Sequence, residues 1–471
     1  MMNLPHFLAR KQPLALLCFL VTGEAPAELV KLTASNAGAF DRFGQSVAMT
    51  EDFLIVGAHE EDTGFSKAGS VYVYDRDTHA FIRKLNASDA GSNDLFGWSL
   101  AAEGNQVLVG APGNDSGACY LFDLNTGAEL NKLTPSDAAS GDQFGHSVAM
   151  TSTTILVGSW LMEDSDISPS EDSGAAYLFH RSNGQELHRL RPADIAEADQ
   201  FGGSVALTGD YACVGSLFDD HSGVSDAGSV YLFDPSTGAE LRKITRGTPA
   251  EGDTFGSMLA AKGDLLVTGI PEAGDFGARA GVTSLFSLPS GEHLTDIMPP
   301  SLSEGDQFGQ SVAIDDFIVV GAFRTDSGSK NDVGSAFVFS TTGHYRNTLH
   351  PSDGATSDFF GGAVATQGDE FLIGATQNDD DGPSSGSAYL FEDELDLILN
   401  DLTIALSGNN VTLNWTGTAE GEYRIFATSD LSNWPTTPLQ TVVPTSSSAN
   451  FIHTNGADAS KLFYRIETGS N

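Results

Sequence analysis

The chain has 471 residues, with few basic residues, three cysteines and no apolar run long enough to span a bilayer. Its 23 Lys and Arg stand against 63 Asp and Glu, giving a formal net charge of -40. Such a charge repels nucleic acid and anionic membranes, so neither is an expected partner. Cys119 and Cys213 lie in different segments of the pattern described below. We expect them to be buried free thiols and not a disulfide.

Sequence signatures of enzymes are also missing. The chain has no G-x-S-x-G elbow, no H-E-x-x-H motif and no Walker loop, and its histidines are scattered. Nothing in the sequence therefore predicts a catalytic constellation, and we expect a protein that is not an enzyme.

The N-terminus has the pattern of a secretory signal. Arg10 and Lys11 precede a short apolar core at residues 13–21, and Ala25-Pro26-Ala27 provides a cleavage site. We therefore expect residues 1–27 to be a cleaved signal peptide. The protein is then secreted, and is extracellular or at the cell surface.

What the sequence does contain is a long-period repeat. Seven of the Phe-Gly pairs in the chain recur at spacings of 48 to 57 residues. A self-similar period near fifty residues is typical of propellers and solenoids. The copies are Phe43-Gly44, Phe96-Gly97, Phe144-Gly145, Phe201-Gly202, Phe255-Gly256, Phe308-Gly309 and Phe360-Gly361.

Each repeat predicts four strands. In the first, FGQSVAMT alternates small and apolar residues, FLIVGA is continuously apolar, SVYVYD alternates again, and AFIRKL follows a polar loop. Short runs rich in β-branched and aromatic residues, bounded by Gly and Asp, are typical of strands. Four strands per unit without a helical period indicate a propeller blade, and hence an all-β fold.

Phe-Gly at the start of each unit and a Gly-Ala motif about thirteen residues later resemble the FG-GAP repeat. This repeat forms the seven-bladed propeller of integrin α-subunits and of many secreted bacterial proteins, and the short turn between the first two strands is similar to the bacterial type. The resemblance covers residues 28–394. It implies a seven-bladed β-propeller with a binding or adhesion role, although one fold serves many functions.

The two ends of the repeat region predict how the ring closes. The seventh repeat lacks the fourth segment, whereas residues 28–33 match that segment and precede the first Phe-Gly. We therefore expect residues 28–33 to close blade seven, which would remove the free sheet edges. Residues 397–471 no longer follow the period; they predict a small antiparallel sandwich that resembles fibronectin type III-like modules.

An aspartate stands two residues before every repeat Phe. Such a carboxylate can accept backbone N–H bonds in the turn that enters the strand, which is a structural role. Alternatively, the seven carboxylates form a ring on one face that attracts cations. The residues are Asp41, Asp94, Asp142, Asp199, Asp253, Asp306 and Asp358.

The loops after the Gly-Ala motif are rich in acids, and some of these acids are candidate calcium ligands. No loop has EF-hand spacing, and solvated surface acids are the alternative interpretation. The FG-GAP resemblance would place calcium in a D-x-D-x-D-G loop between the first two strands, but this chain has only a short turn there. The candidate ligands are Asp164, Asp166, Asp219, Asp220, Asp379 and Asp381.

From these observations we expect a secreted binding or adhesion propeller that recognises an extracellular protein or polysaccharide, with calcium as a candidate cofactor. The alternative is a secreted propeller enzyme that acts on carbohydrate through acids facing the channel.

Overall fold

The computed structural model describes residues 27–163, 172–393, 400–407, 410–416, 423–428, 439–442, 448–453 and 463–468. The chain divides into two compact units, of which Pro26–Glu392 is the larger and Asp393–Asn471 belongs to the other. All regular elements of the described residues are strands, and none of these residues forms a helix that could cross a membrane. The signal peptide predicted at residues 1–27 lies outside the described residues except for Ala27.

The larger unit is a seven-bladed β-propeller of four-stranded antiparallel sheets. The first strand of each blade contacts the first strands of the two neighbouring blades, so these inner strands form a closed ring. The inner strands of blades one to seven are β2 (Phe43–Met49), β6 (Ser99–Glu103), β10 (Phe144–Met150), β14 (Phe201–Leu207), β18 (Met258–Lys262), β22 (Ser311–Ile314) and β26 (Phe360–Gln367).

The second strand of each blade is the continuously apolar segment, and it is nearly or fully buried along its length. Both of its faces pack against neighbouring blades, which explains why it does not alternate. These strands are β3 (Phe53–Ala58), β7 (Gln106–Ala111), β11 (Thr154–Ser159), β15 (Ala212–Ser216), β19 (Leu265–Ile270), β23 (Phe317–Ala322) and β27 (Glu370–Ala375).

The third strand is also buried, whereas the fourth, outer strand exposes part of its surface. In order of blades, the third strands are β4 (Ser70–Asp75), β8 (Ala118–Asp123), β12 (Ala175–His180), β16 (Ser229–Phe233), β20 (Val282–Ser287), β24 (Ser335–Ser340) and β28 (Ser387–Glu392). The outer strands are β5 (Phe81–Leu85), β9 (Glu129–Leu133), β13 (Gln185–Leu190), β17 (Glu240–Ile244), β21 (Glu292–Ile297), β25 (Tyr345–Leu349) and, in blade seven, β1 (Ala27–Leu32).

The outer strand of blade seven therefore comes from the opposite end of the propeller sequence. β1 pairs antiparallel with β28, and Leu32 at its end is only 3% exposed. The last inner strand, β26, contacts the first, β2. The chain thus closes its ring by non-covalent contacts between its first and last blades.

The repeat phenylalanines join neighbouring blades. Each of the seven is fully buried, and its backbone N–H donates at 2.9–3.0 Å to a carbonyl in the loop before the third strand of the preceding blade. Phe43 completes the ring by donating to Ser385. The Phe-Gly motif is therefore part of the propeller frame.

The Gly of each Gly-Ala segment has a steric role. A Cβ atom at Gly57 would overlap the carbonyl oxygen of Gly97 in the next blade, and the same holds around the ring as far as Gly374 and Gly44. Only glycine permits this approach of two backbones. The two repeat motifs therefore meet across every blade interface.

The free cysteines predicted from the sequence are confirmed: Cys119 and Cys213 are buried and unbonded. Burial raises the pKa of both thiols. Both side chains belong to the apolar layers between blades.

The described residues of the second unit form two three-stranded antiparallel sheets, with strand orders β29-β30-β33 and β32-β31-β34. The fibronectin type III-like sandwich stays a prediction for this unit. Its strands are β29 (Asn400–Ser407), β30 (Asn410–Thr416), β31 (Tyr423–Thr428), β32 (Gln440–Val442), β33 (Ser448–His453) and β34 (Phe463–Thr468).

Candidate functional site

The aspartate before each repeat Phe caps the turn that enters the inner strand. In all seven blades one carboxylate oxygen accepts the backbone N–H of the residue three positions earlier, at 2.6–2.9 Å. All seven side chains are buried, with at most 8% exposed. Each carboxylate thus stabilises the turn of its own blade. Of the two roles considered for these aspartates, this is the structural one.

Burial makes several of these carboxyl groups harder to ionise. It raises the pKa of Asp41, Asp142, Asp306 and Asp358, and it raises the pKa of Asp199 to about 6. The backbone hydrogen bond opposes this effect in each case but is the smaller influence.

The space beside the capped turn, between the loop after the second strand and the ends of the third and outer strands, is here called the crevice of a blade, and in blades one, four and six it forms a cavity. In five blades a set of three side chains, here called the clamp, fills the floor of this crevice. A clamp consists of a third-strand Tyr, the Lys or Arg paired with it on the outer strand, and the Asp or Asn seven residues before the repeat Phe. The clamps are Tyr72, Lys84 and Asn36; Tyr120, Lys132 and Asp89; Tyr177, Arg189 and Asp137; Tyr231, Lys243 and Asp194; and Tyr389, Lys31 and Asp353.

The clamp contacts are nearly the same from blade to blade. The Tyr hydroxyl lies 2.7–2.9 Å from the Asp or Asn oxygen, and in four blades the cation lies 2.6–3.2 Å from the Asp. In four blades the Lys Nζ also lies 5.0–5.3 Å from the centre of the Tyr ring. An ammonium group over an aromatic face is attracted by the ring's quadrupole. The blade-one lysine, Lys84, binds Glu61 in place of the missing Asp.

Blade five lacks the clamp but fills its crevice in another way. Ser284 and Asp296 stand at the Tyr and cation positions and are hydrogen-bonded to each other at 2.7 Å. The guanidinium of Arg246 instead occupies the crevice, 2.7 Å from the turn aspartate Asp253 and 2.6 Å from Asp275. The departure of this repeat, visible in the sequence at Ser284, leaves its four strands intact.

Blade six has no Lys or Arg at the outer-strand clamp position, and none at the place that Arg246 takes in blade five. Ser301, Phe337 and Thr348 occupy the three clamp positions, and Phe337 pairs with Thr348 as the clamp Tyr pairs with its Lys. The crevice is a cavity of about 490 Å³ that reaches all three of these side chains. The corresponding cavities of blades one and four measure about 420 and 330 Å³ and do not reach the clamp Tyr or Lys.

The rim and floor of the blade-six crevice differ in character. At the rim, the guanidinium of Arg324 lies 5.2 Å from the Phe323 ring and 5.8 Å from the Phe359 ring. On the floor, Thr325 donates to Ser335 at 2.6 Å, and Ser335 lies 3.2 Å from His350. Asn86 makes the same contact with Ser70 in blade one, so the pair of Ser335 and His350 has a structural counterpart in another blade.

The candidate calcium ligands of blade four have different surroundings. Asp219 is 2% exposed and accepts bonds from Tyr231 at 2.9 Å, Ser229 at 2.5 Å and Lys243 at 2.9 Å. Asp220 caps its own loop by accepting the backbone N–H of Asp226 at 2.9 Å.

The other candidates are at two places. Asp379 and Asp381 lie on the exposed loop after β27, while Asp164 and Asp166 lie outside the described residues. Among residues that the structure does describe, no group of three or more His, Cys, Asp or Glu side chains is close enough to hold a metal ion.

A row of aromatic rings runs along the same end of blades one to three. Trp98 is 5.1 Å from His59 and 5.6 Å from His146, and His146 stacks on Trp160 at 4.3 Å. Burial lowers the pKa of both imidazoles to about 4, so they are neutral at pH 7. The rings follow a Phe-Gly pair or the end of a second strand, which is Gly-Ala before His59 and Gly-Ser before Trp160.

Neither the clamp nor the open crevice is among the sites predicted from the sequence. Their signal is present, because Tyr recurs in third strands and Lys or Arg recurs in outer strands. It becomes visible only when Phe337 and Thr348 are compared with the same positions of other blades.

The repeats of this chain match a model of a known protein family. A family model described as FG-GAP repeat matches six segments that together exceed half of the chain, and most of them run from an outer strand through the first three strands of the next blade. Residues 234–294, which contain the first three strands of blade five, are not among them. No curated protein matches the chain. The matched segments are residues 27–74, 80–122, 128–179, 185–233, 295–339 and 346–391.

Proposed function

The chain belongs to the FG-GAP repeat family, and on this basis we propose that it is an extracellular binding propeller whose recognition site is the blade-six crevice. The ligand is a protein or a polysaccharide of the extracellular space. The observation that carries the proposal is the replacement of all three clamp residues by Ser301, Phe337 and Thr348 in one blade. Sites that depart from an otherwise consistent pattern are where function is expected.

The cavity has the properties of a ligand site. Its volume of about 490 Å³ lies within the range of known ligand pockets, and its lining combines an aromatic floor with polar groups around it. Asp306, Asn331 and Arg324 supply acceptors and donors, while Phe337 supplies an apolar surface. Such a mixture fixes the orientation of a ligand as well as binding it.

The proposal is for a binding protein and not an enzyme. The hydrogen bonds of the turn aspartates to their own turns give these residues a structural role, and a catalytic role is not needed to explain them. Calcium, if it assists, would bind exposed loop acids such as Asp379 and Asp381. The second unit would act as a spacer or a further binding module.

A binding array tests the proposal. The full chain is applied to glycans and extracellular matrix proteins with and without a calcium chelator, beside the variant Ser301→Asp/Phe337→Tyr/Thr348→Lys. This variant restores the clamp, and its net charge is unchanged because one acid and one base are added. We expect the variant to fold and to lose at least about tenfold in affinity for the ligand that the natural chain retains.

Equal binding by both proteins would move the site away from blade six. Turnover of a polysaccharide would replace the binding proposal with the enzyme alternative. If the natural chain loses its binding only when the chelator is present, calcium assistance is supported.

A further inference from the structure

The crevices of the other blades show which chemical groups a crevice like that of blade six can hold. In blades one, two, four and seven, a lysine ammonium of the chain lies over the third-strand Tyr ring at 5.0–5.3 Å. The aliphatic stem of each lysine belongs to the outer strand and crosses to the ring beside it. The crevice therefore accommodates an alkyl ammonium group over an aromatic floor four times within one molecule.

Blade five shows that a cation in the crevice can also reach the turn aspartate. Arg246 enters from the loop after β17, not from the outer strand, and contacts Asp253 at 2.7 Å. Its side chain is 9% exposed, so the guanidinium is held inside the crevice. A cation provided by a loop can therefore enter the crevice as well as one provided by the outer strand.

The clamp cations also act on the turn aspartates of their own blades. Burial raises the pKa of Asp41, Asp142 and Asp199, and the clamp cations Lys84, Arg189 and Lys243 oppose this rise. In blade six the pKa of Asp306 is raised by burial and also by the nearby Asp326, with no opposing cation.

Blade six keeps the turn aspartate and has an aromatic ring at the Tyr position, but it has neither the clamp cation nor the clamp Asp, whose place Ser301 takes. Asp306 lines the cavity and Phe337 provides the aromatic floor, whereas Thr348 stands where the other outer strands have Lys or Arg. We propose that a lysine side chain of a partner protein enters the blade-six crevice and places its ammonium group between the Phe337 ring and the Asp306 carboxylate. This inference rests on the proposed function and names the group that the site recognises.

The contacts expected for this lysine combine two that other blades show: an ammonium over an aromatic ring, as in the clamps, and a cation against the turn aspartate, as at Arg246 in blade five. Its stem lies along the apolar floor while its charged end meets the carboxylate, which is how long basic side chains are usually accommodated. An ammonium over Phe337 gains the attraction that the internal lysines have over Tyr. The net charge of -40 speeds the approach of a basic segment over longer distances.

The rim limits which basic segments fit. Arg324 is the one Arg or Lys among the residues that line the cavity, and it is held over Phe323 and Phe359. A second basic residue next to the inserted lysine would meet this like charge. We therefore expect a single lysine flanked by neutral or acidic residues to bind better than a run of lysines.

The test uses blocked pentapeptides of Gly and Ser with one central residue, titrated into the full chain by NMR or calorimetry. The central residue is Lys, N-acetyl-Lys or Arg, and an oligomer of glucosamine with free amines forms a fourth arm. One side chain gives an affinity in the millimolar range. We expect acetylation to lower affinity at least about tenfold, because it removes the charge.

Matched variants identify the crevice. Ser301→Asp/Phe337→Tyr/Thr348→Lys should lower affinity at least about tenfold, because its own lysine fills the site and its net charge is unchanged. Asp306→Asn should lower affinity by a similar factor. Asp199→Asn is the control at the same position of blade four, and it should change affinity less than about twofold.

Absence of lysine-peptide binding, or equal binding of the lysine and acetyl-lysine peptides, overturns the inference. So does binding of the glucosamine oligomer with no response to lysine. If an array ligand depends on the blade-six residues but the lysine peptide does not compete with it, the proposed function stands and the lysine inference fails. If binding of the array ligand does not depend on those residues, the proposed site fails first.

Discussion

Blades six and seven are neighbours built on one frame, and they differ at their crevices. Both have the buried repeat Phe, the turn aspartate and the glycine contact across the blade interface. Blade seven closes its crevice with Tyr389, Lys31 and Asp353, although Lys31 comes from the far end of the sequence. Blade six leaves it open. Three side chains therefore separate a structural blade from a candidate binding blade, without a change in backbone topology.

The largest expected effect concerns β1, the outer strand that blade seven takes from the other end of the propeller sequence. Deleting residues 27–32 removes the outer strand, its ladder to β28, buried Leu32 and the clamp lysine together. We expect a loss of roughly 5 kcal/mol or more in the free energy of unfolding, measured by chemical denaturation. The control is Leu29→Ser, at a position 39% exposed, which should change it by about 0.5 kcal/mol or less. An unchanged denaturation midpoint after the deletion would show that β1 does not hold the ring closed.

The next effect uses a position where blades one and six differ, because His59 of blade one corresponds to Phe323 of blade six. The folded-state pKa of His59 is about 4, below the ordinary value of 6.5, and its side chain is 3% exposed. Its neutral form therefore stabilises the fold above pH 6.5, and this contribution is lost as the pH falls from 6.5 towards 4. In His59→Phe, the drop in stability between pH 7 and pH 4 should be smaller by up to about 3 kcal/mol. Parallel pH–stability curves for the two proteins would contradict the buried neutral imidazole.

The smallest of the three effects converts blade seven into a copy of blade six. Lys31→Thr/Tyr389→Phe/Asp353→Ser removes the clamp and leaves the net charge unchanged. We expect a loss of about 2 kcal/mol in the free energy of unfolding, because exposed ion pairs contribute little and most of the loss comes from the Tyr hydrogen bond. Tyr345→Phe, at an exposed site of blade six, is the control and should have almost no effect. A loss as small as that of the control would mean that the clamp fills space without stabilising the fold.

Much of the propeller frame could be predicted from the sequence, because its motifs are short and recur from blade to blade. Phe43 and its six counterparts define the number and register of the blades, and the match of residues 28–33 to an outer strand points to the closing partner. The Asx-type turn at Asp41 and its counterparts follows from a short-range rule as well. Repetition adds to each such signal, since a chance occurrence does not recur at a fixed spacing.

The candidate site could not be predicted in the same way. Ser301, Phe337 and Thr348 stand 36 and 11 residues apart; strand pairing brings Phe337 and Thr348 together, and Ser301 joins them in the lining of one cavity. The acid-rich loops suggested calcium, and one of the candidate ligands, Asp219, accepts bonds from Lys243, Tyr231 and Ser229 of its own blade. The sequence shows which charged residues are close along the chain. A binding site depends instead on which charges already have a neutralising partner in the folded protein. Arg246 in blade five illustrates this, because its role depends on two aspartates, 7 and 29 residues away.

The placement of β1 in blade seven also sets an order of events during synthesis. The first propeller strand to leave the ribosome has its partner, β28, in the last propeller segment made. Until then, six blades can form in sequence while β1 stays unpaired and the apolar face that blade one turns towards blade seven stays uncovered, and both invite association with other chains. Completion of the ring is thus a late, long-range step, and chains truncated before β28 would be exposed to aggregation for as long as they persist.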